Sequence, residues 1–491
     1  MRGHVRFAGG RIDATAAAAA AVGVGAALLR LPRLHDAFWQ DEVASARILR
    51  EPTPARMLAH VARTESTPPL WYALGWLLHH AGVSLQDVRL LSVAAGASLA
   101  TLVVLAARTV VPLAPAALAG VLVAVGGELA AAGSELRAYA LLALLAGLFA
   151  VALDAAVRRS GARTAVPLAL VTAAGSLTHY FFLFTVAAGA AWLWLEPQAR
   201  GARRRGTAAI AAGLALASPW LPFALRQYRQ DRFGWIGPFD ARVVVDTAFR
   251  LFTPLVHARW VPAAFLGVVL VGAWRLARAS ARGRLCAALA VGPLVAAAVA
   301  WRSGVRVYAV RNLIEVEAFV AVCVAAAVAA LAPRARVVAA AAVGAAALAG
   351  FVWDQQAPAA PYGEIAHTLV AEGWRPAAPV LVFGSPYAFR SPLEWYLPHD
   401  PSLAVLRLHA ASCRVVYVVA GRRATPAVAD DVVAARRVGR FLVGRVRIDE
   451  PLRGLRASLL AAPPARRRCA PGVYATASAE PRSTTGSSST L

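Results

Sequence analysis

Lysine does not occur in the 491 residues, so arginine alone makes up the cationic count of 51. Charge of either sign is scarce. Asp, Glu and Arg make up 16% of the chain against 59% hydrophobic residues, a balance well outside the soluble range. Cysteine is down to four. Cys286 and Cys323 fall inside apolar stretches, as small buried residues do, while Cys413 and Cys469 fall in the C-terminal region, where a disulfide between them is expected. No internal repeat and no Gly-rich phosphate loop is visible. The formal charge of +25 would suggest nucleic acid in a soluble protein, but the arginines cluster between hydrophobic segments, a pattern of membrane topology rather than of nucleic-acid binding.

What the chain has in abundance is apolar sequence. Stretches able to cross a hydrocarbon core, each needing about 20 residues of helix, recur over the first 355 residues. They read as 13–34, 88–107, 113–133, 138–157, 164–178, 180–196, 207–225, 259–279, 285–301, 313–332 and 335–353, eleven crossings in all. The first is followed by Leu31-Pro32-Arg33 and a charged loop rather than a cleavage site, so it is expected to stay as an anchor. Arg2, Arg6 and Arg11 place the N-terminus in the cytoplasm. Arg108, Arg158/Arg159/Arg163, Arg200/Arg203/Arg204/Arg205, Arg275/Arg278/Arg282/Arg284 and Arg334/Arg336 then fall on the same side. Counting Pro68 to Val83 as a further crossing would invert every later loop. It is expected instead as an interfacial helix with Trp71, Tyr72 and Trp76 at headgroup level, within a first exported loop of 35–87.

Two exported loops go against the arginine rule: 226–258, with Arg226, Arg229, Arg232 and Arg250, and 302–312, which reads RSGVRVYAVRN. After Trp353 the composition changes. Extended runs at Pro379 to Phe383, Leu403 to Leu408, Arg414 to Val419 and Phe441 to Ile448 alternate with helical patterns at Tyr362 to Trp374, Tyr387 to Tyr396 and Pro426 to Val438. The fold expected is thus a polytopic α-helical membrane domain (1–354), a small extracytoplasmic α/β domain (355–470) and a Ser/Thr/Ala-rich disordered tail (471–491) in a multi-pass protein of the inner (plasma) membrane.

Candidate chemistry gathers on the exported side. Asp41 and Glu42 follow Trp39 just beyond the first crossing; Asp41 as the N-cap of a helix Glu42 to Arg50 is the competing reading. Thr64-Glu65-Ser66-Thr67-Pro68-Pro69-Leu70 precedes the aromatic helix, and alone reads as a turn and an anchor. Ser134-Glu135-Leu136-Arg137-Ala138-Tyr139 stands at the end of the third crossing, with a Glu135/Arg137 pair capping a helical turn as its alternative. Thr178-His179-Tyr180-Phe181-Phe182 turns between two short crossings, where a histidine is as readily structural.

In this order, Asp-Glu after the first crossing, Pro-Pro-Leu, Arg89-Leu90 at the second crossing, Glu-x-Arg-x-Tyr and His-Tyr-Phe resemble the GT-C glycosyltransferases of family 39 over residues 13 to 330. That group contains protein O-mannosyltransferases and the aminoarabinose transferases of lipid A. The resemblance implies Asp41 as the catalytic carboxylate, with Glu42 beside it, and a polyprenyl-phosphate sugar as donor whose phosphate is held by exported arginines. The chain departs at Thr67, where relatives often carry His or Lys, and in its C-terminal domain, which the best-known members do not share.

Chemistry agrees with that placement. Displacing a lipid phosphate from an anomeric carbon needs a base for the acceptor hydroxyl and cations for the departing phosphate. Asp41 would supply the first, by an inverting displacement. Arg306, Arg311 and Arg137 would supply the second, because the arginine fork binds two oxygens while staying charged, and Tyr139, His179 and Tyr180 complete the substrate-binding set. No cofactor is implied, and a divalent cation at Asp41/Glu42 stays open. The acceptor could be an envelope glycan, a glycolipid or a protein hydroxyl, with membrane lipids as the other partner. A lipid or glycolipid transporter is the alternative, but transporters tend to carry midplane charges and repeated halves. A scaffold presenting the C-terminal domain would leave the ordered loop motifs unexplained.

Overall fold

The computed structural model describes residues 4–7, 10–159, 161–230, 236–243, 245, 247, 261–355, 362–373, 379–383, 395–396, 415–421, 433–438, 441–447 and 472–476. The chain divides into two units. One holds Met1–His35 and Ser45–Gln356, the other Asp36–Ala44 and Ala357–Leu491.

The first unit is helical, and each of the eleven apolar segments carries a helix. These are α1 (Ala14–Arg30), α5 (Leu90–Ala107), α6 (Leu113–Val125), α8 (Tyr139–Arg158), α9 (Ala162–Thr178), α10 (Phe182–Leu195), α11 (Arg203–Ala217), α13 (Val261–Ala279), α14 (Ala281–Arg302), α15 (Val316–Val328) and α16 (Pro333–Gln355). Among the described residues six spans, Ala14–Arg33, Asp87–Ala107, Tyr139–Arg158, Pro197–Arg229, Ala281–Arg302 and Pro333–Val352, are long and apolar enough to cross a membrane. α6, α10 and α15 are shorter apolar helices. α5 packs on α1, α6 and α8, and α15 is enclosed by α6, α13 and α14. Small residues let these backbones close up. A Cβ at Gly272 would lie 1.8 Å from the Cys323 carbonyl oxygen, and one at Gly23 would lie 2.1 Å from Thr101 Oγ1. Cys323 is buried and Cys286 half-buried, both as free thiols.

The segment 113–133, expected as one crossing, is interrupted. Gly126 is extended, and a short α7 (Gly127–Ala132) follows α6. Polar side chains satisfy both ends of the break. Arg30, 1% exposed, donates through Nη2 to the Val123 and Leu129 carbonyls at 3.5 and 3.4 Å and through Nη1 to Ala26 at 2.8 Å. Glu317 Oε2 accepts from the Leu129 N–H at 3.3 Å. The Arg30 cation at the C-terminus of α6 matches the helix dipole. Arg30 reaches its carbonyls because Gly96 and Gly133 leave room. A Cβ at Gly133 would fall 1.9 Å from its Nε.

Between α1 and α5 lie α2 (Gln40–Leu49), α3 (Pro54–Thr64) and α4 (Leu70–His80). α3 starts on Thr53, whose side chain accepts from Arg56 N, with Pro54 at the first helical position. α4, where an interfacial helix is expected, is 11 residues long, and its Trp71 and Tyr72 are buried in protein at 1% and 2% exposure. α4 lies against α3, and the Tyr72 hydroxyl finds a buried carboxylate there. α12 (Leu221–Arg229) follows α11 after a turn at Ser218–Trp220.

In the second unit α17 (Tyr362–Ala371) buries Tyr362, Ile365, Ala366 and Leu369, a helical spacing, and packs on the sheet. Besides the antiparallel hairpin of β1 (His4–Phe7) and β2 (Gly10–Asp13) in the first unit, strands β3 (Pro379–Phe383), β4 (Val415–Gly421), β5 (Val433–Val438), β6 (Phe441–Arg447) and β7 (Gly472–Thr476) form a mixed sheet of order β5-β6-β4-β3-β7 in the second. β3 is parallel to β4 and β7, with Val380 opposite Tyr417 and Val473. Two expectations are corrected. Val433–Val438 is a strand, not the end of a helix, because it pairs antiparallel with β6. Gly472–Thr476, expected in the disordered tail, is an edge strand alongside β3. Leu403 to Leu408, Cys413, Cys469 and most of Tyr387 to Tyr396 lie outside the described residues.

Candidate functional site

The residues with chemistry gather at the end of the bundle marked by Tyr139, where α1, α3 and α9 end and α5, α8, α10 and α15 begin. The turn 134–138 is pinned there by Ser92 at the start of α5, whose hydroxyl donates to the Glu135 carbonyl at 2.7 Å and to that of Arg137 at 3.3 Å. Arg89, also buried, ties the same helix start to the end of α1 by donating to the Leu34 carbonyl at 2.7 Å.

That turn delivers Arg137 into the protein interior at 7% exposure. Its Nη1 donates to Ser45 Oγ at 3.2 Å, Tyr72 OH at 3.2 Å and Glu65 Oε2 at 3.3 Å. Tyr72 in turn donates to Glu65 Oε2 at 2.7 Å, and the Thr67 hydroxyl lies 3.3 Å from Tyr72 OH. Burial, then the neighbouring Glu65 carboxylate, push the Tyr72 phenol above its ordinary range against the opposing pull of Arg137, so it stays protonated and keeps donating. The Glu135/Arg137 pair anticipated from sequence is joined by longer-range partners. Glu135 accepts from Arg311 Nη2 at 2.6 Å, and Arg137 takes Glu65.

Tyr139 is the centre of a second layer. The guanidinium carbons of Arg311 and Arg137 lie 5.5 and 5.9 Å from its ring centroid, within cation–π range. The His179 ring is 5.6 Å away on a tilted approach. His179 is buried, and its Nδ1 accepts the Phe181 N–H at 3.3 Å, which leaves the proton on Nε2. Burial, with Arg137 nearby, pushes its pKa down to about 3, so it is a neutral donor rather than a cation. Four of the expected residues, Arg137, Tyr139, His179 and Arg311, therefore come together.

The other candidates fall elsewhere or do something else. Tyr180 donates to Gln227 Oε1 at 2.6 Å and accepts from Trp220 Nε1 at 2.9 Å, joining α10 to α12. Arg306 is exposed on the loop before Tyr308. In the second unit, α2 begins at Gln40, with the Val43 N–H donating to the Trp39 carbonyl at 2.9 Å. Asp41 is thus in the first turn, not at the cap, and is half-buried. Glu42 is buried, and its Oε2 accepts from the Trp39 N–H at 3.3 Å, the reciprocal half of a capping box. Phe38 in the same segment donates its N–H to Tyr396 OH at 2.7 Å and meets Trp395 edge-on. Among the described residues no group of three His, Cys, Asp or Glu side chains comes together as a metal site.

Sequence reading passed over Glu65, Tyr72 and Ser45 as site residues. The available signal was Glu65 itself, a carboxylate shortly before Pro-Pro-Leu in a chain with only 26 acidic residues.

No family model matches the chain, and no curated protein matches it by sequence. Among solved structures, ArnT from Cupriavidus metallidurans in the apo state aligns with a TM-score of 0.54 at 13% identity, covering 87% of this chain and 97% of that one. The same protein bound to undecaprenyl phosphate gives 0.51 at 13% identity, over 89% and 98%. The fold is that of the GT-C membrane glycosyltransferases.

Proposed function

We propose that the chain is a membrane glycosyltransferase that moves a sugar from a polyprenyl-phosphate donor to an acceptor on the extracytoplasmic face. The observation that carries this reading is the convergence of Arg137, Arg311, Tyr139 and His179 from three loops far apart in sequence. They make a cationic, aromatic cluster at one end of an apolar helical bundle. The GT-C fold supports it, and so does the neighbour that binds undecaprenyl phosphate. Eleven crossings from a cytoplasmic N-terminus, with 355–470 as an α/β domain outside, put this end on the exported side.

Arg311 is the better phosphate contact, because its side chain is 34% exposed while that of Arg137 is 9% exposed and committed to Glu65. Exchanging Glu135, which takes a bond from Arg311 Nη2 through Oε1, for a lipid phosphate would let the arginine fork meet two oxygens. Arg306 extends the cationic approach on the same loop. His179 Nε2–H serves as a neutral hydrogen-bond donor. Asp41, in the first turn of α2 and half-buried, takes the acceptor proton, while Glu42 holds the helix start. In-line attack with the phosphate leaving opposite gives inversion.

The deciding experiment is transfer by the protein reconstituted in lipid and offered a panel of labelled polyprenyl-phosphate sugars, comparing wild type with Asp41→Asn. Asparagine keeps the size and cannot act as a base. Transfer should fall about a hundredfold or more while donor still binds. Wild-type transfer in Asp41→Asn would remove the carboxylate from the mechanism, and no transfer from any donor by the wild type would remove the reading itself.

A further inference from the structure

At the opposite end of the bundle, marked by Arg158, helices α5, α8, α14 and α15 leave a groove of about 450 Å3 between them. Its walls are apolar, with Leu102, Ala106, Gly147, Val151, Leu285 and Phe319 among them, and its polar residues are concentrated at the helix ends, where Asp154, Arg158, Arg159 and Arg282 stand. The 20 residues of α8 separate this cluster from Tyr139, about 30 Å at the rise of a helix, so the groove is not part of the site described above.

The charges at this mouth do not balance. Asp154 accepts from Arg158 one turn away and from Arg282 Nε at 3.1 Å, so one carboxylate serves two guanidiniums, and Arg159 adds a third positive charge. The side chains of Arg158 and Arg282 remain 41% and 36% exposed, which leaves N–H donors facing outward. An apolar slot beneath an under-neutralised arginine cluster is complementary to a molecule that is a hydrocarbon chain at one end and an anion at the other.

We propose that the groove holds one acyl chain of an anionic phospholipid of the cytoplasmic leaflet, whose phosphate bonds Arg158, Arg159 and Arg282. Phosphate fits the arginine fork in two-point geometry. Basic pockets between membrane helices on the cytoplasmic side are suited to anionic headgroups. A choline headgroup would bring its own cation against the cluster, and a long polyprenyl chain exceeds the space. The side of the membrane follows the proposed orientation. The binding itself does not, so a test in detergent can fail without touching the transferase reading, and the transferase reading can fail without touching this one.

The test is native mass spectrometry of the full chain in detergent micelles, with equal palmitoyl-oleoyl phosphatidylglycerol and palmitoyl-oleoyl phosphatidylcholine. One phosphatidylglycerol should be retained with a preference of about tenfold or more, the scale of a few arginine contacts. Arg159→Gln with Arg282→Gln should abolish the preference, and Ala150→Phe, which fills the groove without changing charge, should lower retention of both lipids. Arg163→Gln, outside the groove lining, should change nothing. Should the double variant fail to fold, Arg159→Gln alone must still lower the preference. Equal retention of the two lipids by wild type, or a preference that survives loss of the arginines, overturns the proposal. Displacement of phosphatidylglycerol by equal undecaprenyl phosphate also overturns it.

Discussion

Arginine behaves differently at the two ends of the bundle. At the Arg158 end it pairs with a carboxylate one turn away or across one helix contact, and its side chains stay 36–41% exposed. At the Tyr139 end Arg137 is buried and bonds side chains from α2, the end of α3 and α4, while Arg311 reaches Glu135 across 176 positions of sequence. The first arrangement is what membrane topology alone would produce. The second holds charge inside protein at the cost of desolvation, which topology does not ask for. Where burial is not required by the fold's orientation, a use for the charge is the economical explanation.

The largest effect that would break this contrast is expected at Arg137. Replacing it by alanine leaves Glu65 buried without its cation, and loss of one partner of a buried pair costs about 3–5 kcal/mol. Thermal unfolding in detergent should show a large fall for Arg137→Ala, and Arg137→Ala with Glu65→Gln together should recover much of it. A fall no larger than that of a surface pair would mean that water reaches the cluster and that the two ends are alike.

His179 gives a second, smaller handle through pH. Its folded pKa, about 3, lies below the ordinary histidine value of about 6.5, so the unfolded chain binds the extra proton first. The stability from neutral His179 is complete above about pH 6.5 and is lost as pH falls toward 3, at up to about 1.4 kcal/mol per unit. His179→Phe should flatten that slope in an unfolding series between pH 7 and 4. An identical slope in the variant would assign the acid sensitivity to other groups.

At Arg311 the expected effect is on ligand rather than fold. Arg311→Ala should weaken undecaprenyl phosphate binding by about tenfold, near 1.4 kcal/mol, with Arg311→Lys between it and wild type because lysine lacks the fork. Equal affinity in wild type and Arg311→Ala would make the Glu135 pair structural only.

How far the sequence reveals these arrangements depends on the range of the contact that decides them. The helices follow from apolar length, and the order of the short motifs pointed to the fold. Arg137, Tyr139, His179 and Arg311 could be proposed together because each interrupts an apolar run at the same end. Their pairings could not. Glu135 and Arg137 are two residues apart and look like partners, and nothing local shows that the turn pinned by Ser92 also sends them to Arg311 and Glu65. Tyr72 looked like an interfacial anchor because nothing local shows that Glu65 awaits its hydroxyl. The break at Gly126 escaped the hydropathy pattern because both halves are apolar, and it is the distant Arg30 and Glu317 that satisfy it. In the second unit, β5 was misjudged because the Val433–Val438 segment is extended by pairing with β6, a contact that local propensity does not encode.

The smallest expected effect tests the other side of the contrast. Arg158→Gln removes one of two arginines on Asp154, and Arg282 remains to hold the carboxylate. Exposed pairs of this kind contribute about 0–1 kcal/mol, since both charges are already hydrated and the side chains lose freedom in pairing. Removing one of three like charges also relieves repulsion, so the change in unfolding should be within about 0.5 kcal/mol of zero. Asp154→Asn should cost more than Arg158→Gln, because it leaves Arg158, Arg159 and Arg282 together without a carboxylate. If Arg158→Gln destabilises as strongly as Arg137→Ala, the arginines of this end are as deeply committed to the fold as those around Tyr139, and exposure no longer separates charge placed by topology from charge placed for binding.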